Sequence, residues 1–115
     1  MIINKELLKG TIPFMVLCLI AKKDLYGYQI IKCLNTLSSG VFVFKEGTLY
    51  PILHSLEKDK SISSYWQDSS VGRKRKYYSI KDEGKKLVIH KQNEWNVFQE
   101  AVESVLTKEV PNDED

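Results

Sequence analysis

The stretch that most restricts how this chain can fold is residues 45–60, KEGTLYPILHSLEKDK, followed almost at once by residues 62–80, ISSYWQDSSVGRKRKYYSI. In the first segment Leu49, Ile52, Leu53 and Leu56 recur at spacings of three and four, which predicts a helix that buries one stripe. Thr48, Tyr50, His54, Ser55 and Lys58 fall off that stripe and face outward. In the second segment, two β-prone runs flank the polar loop Asp68-Ser69-Ser70-Val71-Gly72 and a run of four cations, which predicts a hairpin.

A helix with a free polar face leading into a basic hairpin is the sequence outline of a winged helix-turn-helix, with the helix as its recognition helix. The expected fold class is mainly α with a small β-hairpin. A winged helix-turn-helix DNA-binding domain would occupy residues 1–80, a C-terminal dimerisation helix 81–108 and a frayed acidic tail 109–115. A chain of 115 residues, 43% hydrophobic and 28% charged, suits one compact domain and excludes a disordered one.

Upstream, a first helix is expected over residues 4–21, weakened in its first half by Gly10 and Pro13. A break there would leave residues 1–11 as a semi-independent arm. Asp24-Leu25-Tyr26-Gly27 reads as a turn. A second helix follows from Gly27 or Tyr28 to Leu37, with Ile30, Ile31, Leu34 and Leu37 inward and Gly40 as its left-handed stop. Residues 41–44 are too short for a helix and read as a short strand or an extended linker. Pro51 requires either a position near its helix start or a kink.

The last helix is expected over 81–108, with Ser79 and Asp82 as possible caps. Val88, Trp95 and Val102 recur every seven residues, Phe98 and Val105 supply the second seam position, and Lys91 interrupts it. Such a helix is roughly 40 Å long. That is more than the remaining residues can cover, so a second copy of the chain is expected against it, making a homodimer.

Net charge is only +2, but residues 73–91 hold eight Lys or Arg against two acids, so the basic surface is local. Arg73, Lys74, Arg75 and Lys76 beside Tyr77 and Tyr78 suit a phosphate backbone, where cations release counterions and guanidinium forks pair with phosphate oxygens. A solvated basic turn is the plainer explanation of such a run on its own. On the helix, Lys45, Thr48, Tyr50 and His54 can reach a groove, although none offers the bidentate base reading of Arg or Gln. Trp95 is either a packing residue or a flat surface on which a planar ligand stacks between two protomers.

Enzyme chemistry finds no support. His54 and His90 have no nucleophile motif nearby, and with Cys18 and Cys33 they lack metal-ligand spacing. A Gly-rich phosphate loop is also missing, so neither a cofactor nor a metal is expected. Two cysteines inside apolar helical patterns fit a reducing, cytoplasmic setting. The apolar run at 12–21 is too short to span a bilayer, and it ends in Lys22-Lys23-Asp24 without a small-residue cleavage site.

Five blocks carry a resemblance to a known family: Tyr26-Gly27-Tyr28-Gln29-Ile30, Gly47-Thr48-Leu49-Tyr50-Pro51, Leu56-Glu57-Lys58-Asp59, Ile62-Ser63-Ser64-Tyr65-Trp66, and Gly72-Arg73-Lys74-Arg75-Lys76-Tyr77-Tyr78. Together they resemble the PadR family of bacterial transcriptional regulators over about residues 7–106. The resemblance implies a homodimeric winged-helix repressor that binds a pseudo-palindromic double-stranded operator. The single long final helix is similar to the short, multidrug-sensing subfamily, in which paired tryptophans sandwich planar aromatic effectors. It implies ligand roles for Trp95, Leu7, Phe14, Leu17 and Gln99, and DNA contacts by Thr48, Tyr50, His54 and residues 73–76. Four departures stand out: Lys45 replaces a small polar cap, His54-Ser55 replaces two basic residues, Lys60-Ser61 replaces Gly-Leu after the helix, and Gln99 and Phe14 alter the polarity and size of the implied pocket. A non-Gly residue at a left-handed stop costs on the order of 1 kcal/mol. The competing reading is a dimeric ligand-binding or protein-interaction module whose winged helix no longer reads a specific operator.

Overall fold

A computed structural model describes residues 4–113. The element order is α1 (Lys5–Leu8), α2 (Ile12–Lys22), β1 (Leu25–Tyr26), α3 (Gly27–Leu37), α4 (Glu46–Lys58), β2 (Ile62–Asp68), β3 (Lys74–Ile80) and α5 (Asp82–Thr107). The expected first helix is therefore two. Gly10 adopts φ +87° and Pro13 lies in the first turn of α2, so the chain breaks between them. Residues 1–3 of the expected arm, and 114 and 115 of the expected tail, lie outside the described residues.

The core forms where α2, α3, α4 and the base of the sheet meet. Val16, Leu17 and Ile20 of α2 pack with Ile30 and Leu34, with Leu49, Leu53 and Leu56, and with Leu25, Ile62 and Tyr78. The stripe expected on α4 is thus the buried one, with Ile52 half-buried at its margin. Leu37 corrects the reading of α3: it is 68% exposed, because it ends the helix where the chain turns away from the core. At that turn Ser39 (φ 54°) and Gly40 (φ 83°) are both left-handed, and the Gly40 N–H donates to the Asn35 carbonyl at 2.8 Å. Residues 41–45 carry no regular structure and join no strand.

Pro51 is the sixth residue of α4, well inside it, so its missing N–H leaves the Gly47 carbonyl without the usual partner. The helix closes with a Schellman motif: Ser61 N–H donates to the Leu56 carbonyl and Lys60 N–H to that of Glu57, both at 3.0 Å. Lys60 takes the left-handed position at φ 63°, as its place in the sequence implied.

The sheet is larger than the expected hairpin. Leu25 and Tyr26, read above as part of a turn, pair antiparallel with Tyr78 and Tyr77, giving three strands in the order β1-β3-β2. Strand β3 also continues through Ile80, which leaves Lys81 in an extended conformation as the N-cap of α5. Ser79 is therefore a strand residue, Asp82 opens the first turn, and neither caps the helix. Only Gly84, Leu87 and Val88 of the first turns of α5 are buried or half-buried. Beyond them Ile89, Val97, Phe98, Val105 and Leu106 are 60% or more exposed, and the molecule measures 70 × 33 × 20 Å.

Candidate nucleic-acid interface

Helix α4 projects its polar face beside the β2–β3 wing. Lys45 caps the helix through its extended backbone alone, and its side chain stays exposed, as do Thr48 and His54. Tyr50 turns back across the N-terminus of α3. Its hydroxyl lies so close over Gly27 that a β-carbon there would stand 2.7 Å away. Glycine at 27 is what allows that approach.

Strand alternation divides the wing cations. Lys74 and Lys76 lie opposite Asp68 and Trp66, on the face that also carries Ser64, Ile62 and Tyr78. Arg75 belongs to the other face, where its guanidinium sits 4.5 Å from the centre of the Tyr26 ring. That face carries an aromatic row: Tyr26 meets Tyr77 edge-on at 5.4 Å, and Tyr77 stacks on Tyr65 at 5.7 Å. The Tyr65 hydroxyl donates to the Asp24 carboxylate at 2.7 Å, and this bond holds the phenol pKa above its ordinary value. Arg73 and Lys74 are exposed and make no ion pair among the described residues.

Lys76 is engaged differently, with its ammonium 3.8 Å from the Glu57 carboxylate of α4 and 5.7 Å from the Tyr78 ring centre. Burial, followed by the charge of Glu57, raises the Tyr78 pKa.

Between α4, the start of α3 and the wing lies an open cleft of about 680 Å³. Tyr26, Tyr50, Trp66 and Tyr78 supply its aromatic walls and Arg73, Lys74, Arg75 and Lys76 its cations. Of the four helix residues singled out in the sequence, only Tyr50 lines it. Trp66, 65% exposed, is the residue that sequence reasoning missed. Its signal was present: Trp66 shares the strand phase of Ile62 and Ser64, and so lies on the sheet face that α4 packs against.

The five residues implied for a ligand site differ widely in burial. Leu17 is locked in the core at 1% exposure, Phe14 is half-buried, and Leu7 and Gln99 are exposed. Trp95, 37% exposed, packs its ring 6.1 Å from that of Phe98 on the open side of α5. None of the five lines the cleft beside the wing. Among the described residues there is no cluster of three or more His, Cys, Asp or Glu able to hold a metal, and no helix long and apolar enough to cross a membrane.

A helical body, a recognition helix with a free polar face and a basic wing define a winged-helix transcriptional regulator. Solved structures agree. A PadR-like transcriptional regulator from Bacillus cereus superposes with a TM-score of 0.81 at 32% identity, covering 90% of this chain and 99% of that one. A PadR family regulator from Clostridium difficile gives 0.74 at 34% identity, covering 84% and 99%. An uncharacterized protein X of Lysinibacillus sphaericus is 35% identical over 101 residues, 88% of this chain and 93% of that protein. The PadR-like transcriptional regulator family profile matches residues 16–89, and the chain belongs to that family.

Proposed function

We propose that this regulator is a dimeric, sequence-specific repressor that binds double-stranded DNA. The observation that carries the reading is the shared cleft: the recognition helix and the wing open onto one concave, aromatic and positively charged surface. Two chains joined along their α5 seams would present two α4 helices about one duplex turn, roughly 34 Å, apart to successive major grooves of a pseudo-palindrome. Lys45, Thr48, Tyr50 and His54 would face the groove, while Arg73 and Lys74 grip flanking phosphates with Arg75 held flat behind them. The row of exposed apolar residues on α5 supports the second copy. A planar aromatic ligand stacked between Trp95 and its counterpart, within reach of Leu7, Phe14, Leu17 and Gln99, would favour a helix spacing that no longer fits the operator.

Selection of bound fragments from a random DNA pool, followed by a mobility-shift titration against salt, tests the reading. A recovered pseudo-palindrome whose affinity falls linearly on a log–log salt plot is the expected result. Failure to recover any sequence, or a flat salt response, would leave a dimeric ligand-binding or interaction module in its place.

A further inference from the structure

Glu57 is the next-to-last residue of α4, and its half-buried carboxylate reaches across to the sheet. It accepts a hydrogen bond from the Ser64 hydroxyl on β2 and pairs at 3.8 Å with the Lys76 ammonium on β3. Ser64 and Lys76 are diagonal neighbours on one face of the wing, so a single carboxylate holds both of its strands. Among the described residues these are the side-chain hydrogen bonds and ion pairs that join α4 to the hairpin. Lys76 also lies over the Tyr78 ring, so its ammonium is engaged within the protein from two sides. To reach a phosphate it would have to leave both partners, exposing a bare carboxylate beside the DNA.

From this geometry we infer that Glu57 is a positioning residue for DNA recognition: it braces the wing at a fixed angle to the recognition helix, with Lys76 as its counter-charge rather than a phosphate ligand. The inference rests on the DNA-binding reading above. It assigns the phosphate grip to Arg73 and Lys74, which lie beyond the brace and make no ion pair among the described residues. It also explains why an acidic residue is compatible with this surface, since its charge is neutralised where it stands.

The test compares the full-length protein with Glu57→Gln, Lys76→Met and the double variant. Glutamine keeps an acceptor for Ser64 and removes only the charge. In the free protein, amide hydrogen exchange across β2 and β3 should quicken about two- to fivefold in each single variant and no further in the double, as expected for a partly exposed pair. Exchange in α2 and α3 should stay unchanged. Operator affinity should fall by a similar factor in both single variants, and the salt slope of Glu57→Gln should be no steeper than that of the parent. Tighter binding by Glu57→Gln with a slope steeper by about 0.9, the signature of a cation released onto a phosphate, would overturn the inference. Unaltered wing exchange or unaltered affinity would overturn it equally. If the parent protein binds no DNA, the repressor reading fails by itself, while the exchange measurements still decide whether the brace exists.

Discussion

Gly84 and Ser61 meet backbone to backbone where α5 leaves the sheet. A β-carbon on Gly84 would overlap the Ser61 carbonyl oxygen and stand 2.7 Å from the Ile80 side chain. That carbonyl also accepts the Lys81 N–H at 3.0 Å, which fixes it in place. Replacing glycine by alanine in a helix ordinarily gains about 1 kcal/mol. Here the sign reverses: Gly84→Ala should destabilise by about 1–3 kcal/mol through overpacking, measured as a lower urea midpoint. A midpoint at or above the parent value would mean that the contact is not tight.

Lys60 offers the opposite experiment. Its φ of 63° places a side-chain-bearing residue where the Schellman turn favours glycine, and its exposed side chain has no ion-pair partner among the described residues. Lys60→Gly should raise stability by about 1 kcal/mol and leave the α4–β2 connection intact. Thermal unfolding reads the gain, and a lower melting temperature would contradict it.

Gly27 bears on recognition rather than stability. In Gly27→Ala the new methyl meets the far end of the Tyr50 ring, which can swing aside, so the fold should survive. Displacing Tyr50 from the cleft should weaken operator binding about fivefold, the loss of one contact worth roughly 1 kcal/mol. Mobility shifts on the selected operator measure this, and parent-like affinity would remove Tyr50 from the interface.

The exposed seam of α5 gives the last prediction. Phe98→Glu should convert a dimer to a monomer in sedimentation and weaken operator binding with it, because two half-sites would no longer be held together. Trp95→Ala should abolish fluorescence quenching by flat aromatic dyes. Unchanged sedimentation in the first variant would refute the proposed seam, and unchanged dye affinity in the second would refute the proposed pocket.

Much of this architecture was legible because its signals are periodic. The apolar stripe of α4, the alternation of β2 and the seven-residue recurrence on α5 each extend over enough residues to declare their element. What escaped was short or relational. Strand β1 has two residues, Leu25 and Tyr26, too few for any period, and only the position of β3 turns them from a bend into a strand. The start of α5 falls where expected, but its cap does not: β3 runs on to Ile80, so the cap-forming residues at 79 and 82 lie on either side of the cap itself. Leu37 fits the spacing of an inward residue but comes after the core has ended. Within the site, the cations could be counted in the sequence, yet their separate engagements could not. Arg75 lies on Tyr26 and Lys76 against Glu57 because of strand phase and the distant placement of a helix end.

The pairing of β1 with β3 has a consequence for the order in which this protein acquires its activity. The β2–β3 hairpin joins residues close in sequence and can zip early, whereas Leu25 meets Tyr78 only by closing a loop of about fifty residues that contains α3 and α4. The strand that carries Lys74, Arg75 and Lys76 is the central one, so it is complete only after the helical body has assembled around it. A chain still emerging from synthesis therefore carries the basic segment without the shaped surface. On the repressor reading, such a chain would meet phosphates through charge alone, and sequence preference would await the long-range pairing of β1 with β3.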